Sequence, residues 1–191
     1  MNVSLSHIFA GYEGKAVLRD FSLTLPEQGT LAITGPSGRG KTTLLRVLAG
    51  LTPVMQGQVQ GLQGKRISMV FQEDRLLPWH TALQNILDVM PGKDRVANQA
   101  MAMEWLRRME LQEIAGEYPG SLSGGMQRRV ALARACAYQG DLLLLDEPFK
   151  GLDLSLRARV ARQVQQAARV ILLVTHDPRE AELMGAEMVS L

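Results

Sequence analysis

Apolar and polar residues change rhythm along this chain, and each change marks a different kind of element. At the start the pattern alternates: Val3 and Leu5 are apolar with serines between them, and Phe21, Leu23 and Leu25 repeat the two-residue period. That is the period of a strand with one buried face, so an antiparallel β entry is predicted. Later, short unbroken apolar runs appear at 31–34, 67–71, 142–145 and 170–175. Runs of this kind suit a parallel sheet covered by helices on both faces.

The segments between these runs take helical spacing. Leu44, Leu45, Leu48 and Leu51 form one stripe, and Leu156, Val160, Val164 and Ala167 form another. Residues 95–109 also read as helix, with methionines and Trp105 on a broad apolar face. Nothing between Phe71 and Leu142 reads as a strand, so a helical insertion is placed at roughly 75–139 within an otherwise alternating fold. PGKD at 91–94 is the clearest loop, and no internal repeat or low-complexity tract is visible.

Composition narrows the class without naming a function. The 191 residues fit one domain with a sizeable core, and 46% hydrophobic with 21% charged residues suits a globular chain. Twenty-one Lys+Arg against nineteen Asp+Glu leave a net charge of +2, too small to argue for nucleic acid as the main partner. The lone Cys136 permits no intramolecular disulfide, which fits a reducing compartment, and its alanine-rich setting reads as core. The start MNVSLSHIF lacks a signal peptide's basic and apolar regions, and no run of about 18 apolar residues is present. No membrane span is predicted, and a cytoplasmic address follows by default.

Chemistry enters at GPSGRGKTT, residues 35–43, where Gly35, Gly40, Lys41 and Thr42 fit the pattern G-x-x-x-x-G-K-[ST]. The motif follows an apolar run and precedes a helix stripe, the strand–loop–helix setting of a phosphate loop. Its glycines let successive N–H groups turn inward on phosphate oxygens, and the helix adds the positive end of its dipole. Lys41 would reach the β- and γ-phosphates and Thr42 would offer its hydroxyl to Mg²⁺. The loop thus supplies Gly35, Pro36, Ser37, Gly38, Arg39, Gly40, Lys41, Thr42 and Thr43 as candidate nucleotide contacts. The alternative is a glycine-rich turn with a solvated lysine.

LLLLDE at 142–147 buries a strand and releases Asp146 at its end, where a carboxylate can hold Mg²⁺. Glu147 is the candidate general base for the attacking water. An acidic pair capping a loop is the plainer reading of these two residues, and Pro148 weakens it by fixing the turn. Gln72 and His176 also end apolar runs, and in an open parallel sheet ligands gather at the carboxyl ends of strands. A lone Gln or His is usually structural, but the matching positions favour a role on the γ-phosphate or the water.

A second glycine pair stands in LSGGMQRRVALARA, with Met126, Val130, Ala133 and Ala137 at helical spacing behind it. Ser123 is the candidate N-cap, and Gly124 and Gly125 leave N–H groups bare for an anion. Since the first loop already cradles a nucleotide's phosphates, the economical arrangement has this helix serve ATP held by another copy of the chain.

With these residues in order, the chain resembles the ATP-binding subunits of ABC transporters from its first strands nearly to its end. Tyr12, GPSGRGKTT, VFQ, LSGGM, LLLLDE, GLD and VTHD follow the family's sequence of motifs. The resemblance implies an α/β phosphate-loop NTPase with a RecA-like parallel-sheet core, an N-terminal antiparallel β subdomain and an inserted helical subdomain. It implies that Tyr12 stacks on adenine, that Gln72 joins Thr42 and Asp146 at the metal and links them to the helical subdomain, and that His176 holds the γ-phosphate. It further implies that Ser123, Gly124 and Gly125 close on the partner's γ-phosphate and that Asp153 lies at the dimer contact.

Partners follow from the same resemblance: a second ATP-binding subunit, a homodimer with ATP, and membrane-spanning permease subunits on separate chains. A solute-binding protein is a further candidate in the complex, and the placement is peripheral on the inner face of the cell membrane. QEDRLLPW at 72–79 looks like importers of nitrate, sulfonate and taurine. Three features depart from relatives: Lys150 in EPFKGLD where a small residue is usual, Arg128 and Arg129 after Gln127 in an altered order, and an end soon after His176. The last implies a minimal subunit or a missing tail, with no C-terminal regulation expected. Two other readings remain: an ABC-type ATPase clamping a soluble or nucleic-acid partner, and a small-molecule kinase, which leaves LSGGM unused.

Overall fold

Two-residue alternation at the start becomes β1 (Ser4–Tyr12) and β2 (Lys15–Thr24), paired antiparallel, with Leu5, Ile8, Ala10 and Leu18 buried. The computed structural model describes residues 2–92 and 94–191. A third strand, β4 (Val54–Gln60), pairs with the other edge of β1. The sequence does not signal it, because six of its seven residues are exposed and no apolar face is left to read.

The continuous apolar runs form a second, five-stranded sheet. Its members are β3 (Gly29–Thr34), β5 (Ile67–Val70), β6 (Leu142–Asp146), β7 (Val170–Val174) and β8 (Glu187–Ser190). They lie in the order β5-β6-β7-β3-β8 with every pairing parallel. Both faces are covered. Leu142, Leu144, Val170 and Leu172 join Leu5, Ile8, Leu44, Leu45 and Leu48 on one side. Leu143, Leu145, Ile171 and Leu173 pack with Leu132, Val160 and Val164 on the other. Each such side chain contributes about 1.5–3 kcal/mol on burial, which explains why these strands carry no polar alternation.

Helix α1 (Lys41–Leu48) follows β3 and stops one turn earlier than its leucine stripe suggests. Gly50, at φ 71°, ends it: Gly50 N–H donates to Val47 O at 3.0 Å and Leu51 N–H to Arg46 O at 2.8 Å, the paired bonds of a Schellman cap. Leu51 is therefore outside the helix and half exposed.

Among the described residues no strand lies between β5 and β6. That interval holds α2 (Ala82–Leu87), with a Thr81/Gln84 capping box, α3 (Arg95–Arg108), capped by Asp94, and α4 (Gly124–Ala137), capped by Ser123. The loop expected at 91–94 includes Lys93, which lies outside the described residues. Trp105 and Leu106 of α3 are buried against the core, as is Cys136 of α4, whose thiol burial pushes up to about 12. Helices α5 (Leu154–Val164) and α6 (Pro178–Leu183) complete the second face, with Ala167 past the end of α5 but packed on the same cluster. No described helix is long and apolar enough to cross a membrane.

Candidate functional site

The loop between β3 and α1 needs its glycines at two places. Gly35 has φ 134°, and a Cβ there would stand 2.6 Å from Leu191 O. Gly40, the N-cap of α1, has φ 100°, and its Cβ would meet the Leu18 side chain at 2.7 Å. Lys41, buried, folds back over the loop: Nζ donates to Gly35 O at 2.7 Å and to Pro36 O at 2.8 Å. An ammonium has three N–H groups, so one remains for a ligand.

Lys41 opens onto a cleft of about 280 Å³. Ser37, Gly38, Gly40, Thr42 and Thr43 line it on the loop side, Gln72, Asp146 and Glu147 on the sheet side, and Tyr12 and Val17 at the rim. Thr43 Oγ1 lies 3.4 Å from the Tyr12 hydroxyl. Gly35, Pro36 and Arg39 shape the loop without lining the cleft, and Arg39 is exposed. A larger hollow of about 680 Å³ beside β4 carries no charged side chain and offers no comparable chemistry.

Asp146 is buried at the carboxyl end of β6, with Oδ2 lacking any hydrogen-bond partner. Burial pushes its carboxyl up, a hydrogen bond from Thr42 pulls it down, and neighbouring Glu147 adds to the rise. An orphaned carboxylate oxygen beside a hydroxyl oxygen is a hard oxygen donor pair that fits Mg²⁺. Thr42 and Asp146 would hold the ion, with Gln72 on the adjoining wall.

Glu147 adopts φ 47°, left-handed backbone that a non-glycine residue rarely takes, held by its N–H donating to Val174 O at 2.9 Å. This turns the side chain to the cleft, where Oε1 lies 3.1 Å from His176 Nδ1. The segment carrying His176 is tied down behind it. Thr175 Oγ1 donates to buried Glu180 at 2.6 Å and accepts from Asp177 N–H at 3.0 Å, while Arg157 reaches Asp177 at 2.9 Å and Glu180 at 3.2 Å.

The segment that carries Gln72 is positioned by side chains to which the sequence reading gave no such role. Arg128 of α4, almost fully buried, donates to Phe71 O at 2.7 Å and to Gln72 O, and its Nε lies 3.0 Å from Asp74 Oδ1. Arg134 adds bonds to Asp74 O and Arg75 O, each at 2.9 Å. Asn85 of α2 donates to Leu77 O, His80 O and Thr81 O and accepts from Leu77 N–H. These are side chain to backbone bonds across more than fifty residues for the two arginines, and neither spacing nor periodicity signals them.

Ser123, Gly124 and Gly125 are not among the residues lining the cleft. Ser123 Oγ accepts from Met126 N–H at 3.3 Å, and the preceding N–H groups of Gly124 and Gly125 are the orphan donors of α4. Gly125 lies against Gly151 and Leu152, next to Asp153, which caps α5 by accepting from Leu156 N–H at 3.0 Å.

A family model described as ABC transporter matches residues 18–150, a span that takes in the phosphate loop, the glycine pair of α4 and Glu147. The chain belongs to the ABC transporter family. Similar proteins include the taurine import ATP-binding protein TauB of Escherichia coli strain K12 and of Escherichia coli O157:H7, each 39% identical over 202 residues that cover 99% of this chain and 79% of the relative. Similar solved structures include a dimeric post-hydrolysis state of the ATP-binding cassette MJ0796 bound to ADP and Pi, at TM-score 0.88 and 27% identity over 99% of this chain and 94% of that one. A second dimeric structure of MJ0796, a bacterial ABC transporter cassette, superposes at TM-score 0.87. As an ABC transporter ATP-binding domain, the chain is an ATPase using Mg²⁺, and its fold is the phosphate-loop NTPase fold that the sequence implied.

Proposed function

We propose that this ATPase powers import of a small solute through a separate membrane-spanning permease, working as a homodimer that closes on two ATP molecules. The relatives named above serve taurine import, and a small organic solute of that kind is the reading adopted for this chain. Residues 1–191 act as one ATPase domain, with the helices of 75–139 as a subdomain beside Gln72. The stretch 72–79, with Trp79 67% accessible, is the side turned to the permease at the inner face of the membrane.

Within one chain, Lys41 and the loop N–H groups hold the phosphates, Tyr12 stacks on adenine, and Thr42, Asp146 and Gln72 hold Mg²⁺. The ion supplies charge neutralisation on the β- and γ-phosphate oxygens. Glu147 accepts a proton from water as its oxygen attacks the γ-phosphorus; the bond to the bridging oxygen breaks, leaving ADP and inorganic phosphate. His176, 3.1 Å from Glu147, orients that carboxylate and the γ-phosphate. The bare N–H groups at Ser123, Gly124 and Gly125 complete the site of the other copy.

One observation carries this reading: a cleft that gathers Lys41, Thr42, Asp146 and Glu147, while the second anion-binding helix end stands outside it. The test is the ATPase rate per chain as protein concentration rises, with Glu147→Gln as blank. A rate that climbs supports the dimer. A rate flat to the lowest workable concentration, with a monomer on sizing in ATP, sinks it.

A further inference from the structure

A second cavity of about 430 Å³ adjoins the nucleotide cleft and shares Thr42, Gln72 and Asp146 with it. Its lining brings together three cations, Arg46, Arg75 and Lys150, and two carboxylates, Glu73 and the shared Asp146. Glu73 is 3.6 Å from Arg75 and largely in solvent, so it offsets one charge only in part. Among the described residues neither Arg46 nor Lys150 forms an ion pair, and Arg46 Nε is buried without a hydrogen-bond partner. A buried N–H donor left unmatched asks for an acceptor from outside the chain.

The arrangement is held in place. Arg75 takes a left-handed backbone, φ 47°, fixed by Arg134 donating to its carbonyl at 2.9 Å, and its guanidinium carbon sits 4.0 Å over the Phe71 ring. Arg46 rides on α1 with its guanidinium carbon 5.6 Å from the Tyr12 ring. Lys150 is brought beside them by the turn after Glu147, where Lys150 N–H donates to Glu147 O at 3.3 Å. Two guanidinium forks and an ammonium suit a tetrahedral oxyanion.

We propose that the cavity walled by Arg46, Arg75 and Lys150 binds inorganic phosphate at a position distinct from that of the nucleotide's own phosphates. It rests on the reading that the neighbouring cleft hydrolyses ATP, since phosphate is then produced in the cleft that shares Thr42 and Asp146 with this cavity.

The test is calorimetric titration of inorganic phosphate into the full chain preloaded with a non-hydrolysable ATP analogue, without Mg²⁺, for wild type, Lys150→Ala and Arg75→Ala. The analogue fills the loop and the γ-phosphate position, so the remaining isotherm reports phosphate at the second cavity. Each substitution is expected to weaken phosphate at least about tenfold, the loss of one charged hydrogen bond, while ADP and ATP affinities stay within about twofold. Absence of phosphate binding in wild type, or equal affinity in Lys150→Ala, overturns the proposal. So does a matching loss of ATP affinity, which would put Lys150 on the nucleotide itself. Failure of wild type to turn over ATP would count against the hydrolysis reading, and the isotherm would still decide the phosphate site.

Discussion

Glu147 Oε1 and His176 Nδ1 lie 3.1 Å apart at the ends of two neighbouring parallel strands. The register that pairs Asp146 with Val174 sets this distance, because each residue follows its strand by one or two positions. With Nδ1 protonated, the imidazole donates to the carboxylate and fixes its rotamer. The left-handed backbone of Glu147 costs about 1–3 kcal/mol, and it persists where packing over-determines it.

Glu147→Gln keeps shape and the contact to His176 but removes the proton acceptor. Turnover is expected to fall by about 10²- to 10⁴-fold with ATP affinity little changed. Phosphate release under single turnover, beside an equilibrium nucleotide titration, separates the two effects; normal release would take Glu147 out of the mechanism.

Lys41→Ala removes a cation that also bridges the Gly35 and Pro36 carbonyls of the loop. Charged hydrogen bonds contribute about 1.5–3 kcal/mol each, so ATP affinity should drop at least about tenfold by calorimetry. Unchanged affinity would overturn the phosphate-loop assignment of this lysine.

Asp146 gives a prediction with a definite sign in pH. Burial holds its folded pKa above the unfolded value, so its contribution to stability is full below the ordinary carboxylate range and is lost as pH rises through the raised value. Burial makes the ionised carboxylate the costly form in the folded chain. Asp146→Asn should therefore raise the melting temperature at pH 7, by about 2–4 °C per kcal/mol regained, and the gain should shrink in acid. The same variant should lose the extra stabilisation that Mg²⁺ gives in the presence of ATP. A lower melting temperature at pH 7 would mean that the Thr42 hydrogen bond outweighs burial.

The parallel core was legible because β6 and β7 are buried on both faces and so spell unbroken apolar runs. Strand β8 was not: Glu187 and Met188 are exposed at a sheet edge, where pairing is by backbone and side chains carry no pattern. Gly50 did signal the end of α1, but a leucine stripe continuing to Leu51 masked it. At the site, Lys41, Thr42, Asp146 and Glu147 could be read because phosphate and metal chemistry restrict residue type at fixed spacing. The cavity beside Lys150 was not legible, since Arg46, Arg75 and Lys150 meet only through the fold.

Arg128 is the sharpest example of a residue whose place no pattern reveals, and it yields the last prediction. Its guanidinium joins α4 to the backbone of Phe71 and Gln72 and to Asp74, whose carboxyl burial pushes up while Arg128 and Arg134 pull it down. Removing one partner of a buried pair leaves the other charge uncompensated, so Arg128→Met should lose about 3–5 kcal/mol in a urea titration. Asp74→Asn removes the charge but keeps both bonds from Arg128 to the Gln72 segment, so it should cost less and leave turnover near wild type. The double variant should be less destabilised than the sum of the singles, since the two residues are in contact. Positioning is then read from turnover per folded molecule, which should fall in Arg128→Met and hold in Asp74→Asn. If Arg128→Met folds and turns over normally, α4 does not position Gln72, and the link between the helical segment and the metal-side cleft must run through Arg134 or Asn85 instead.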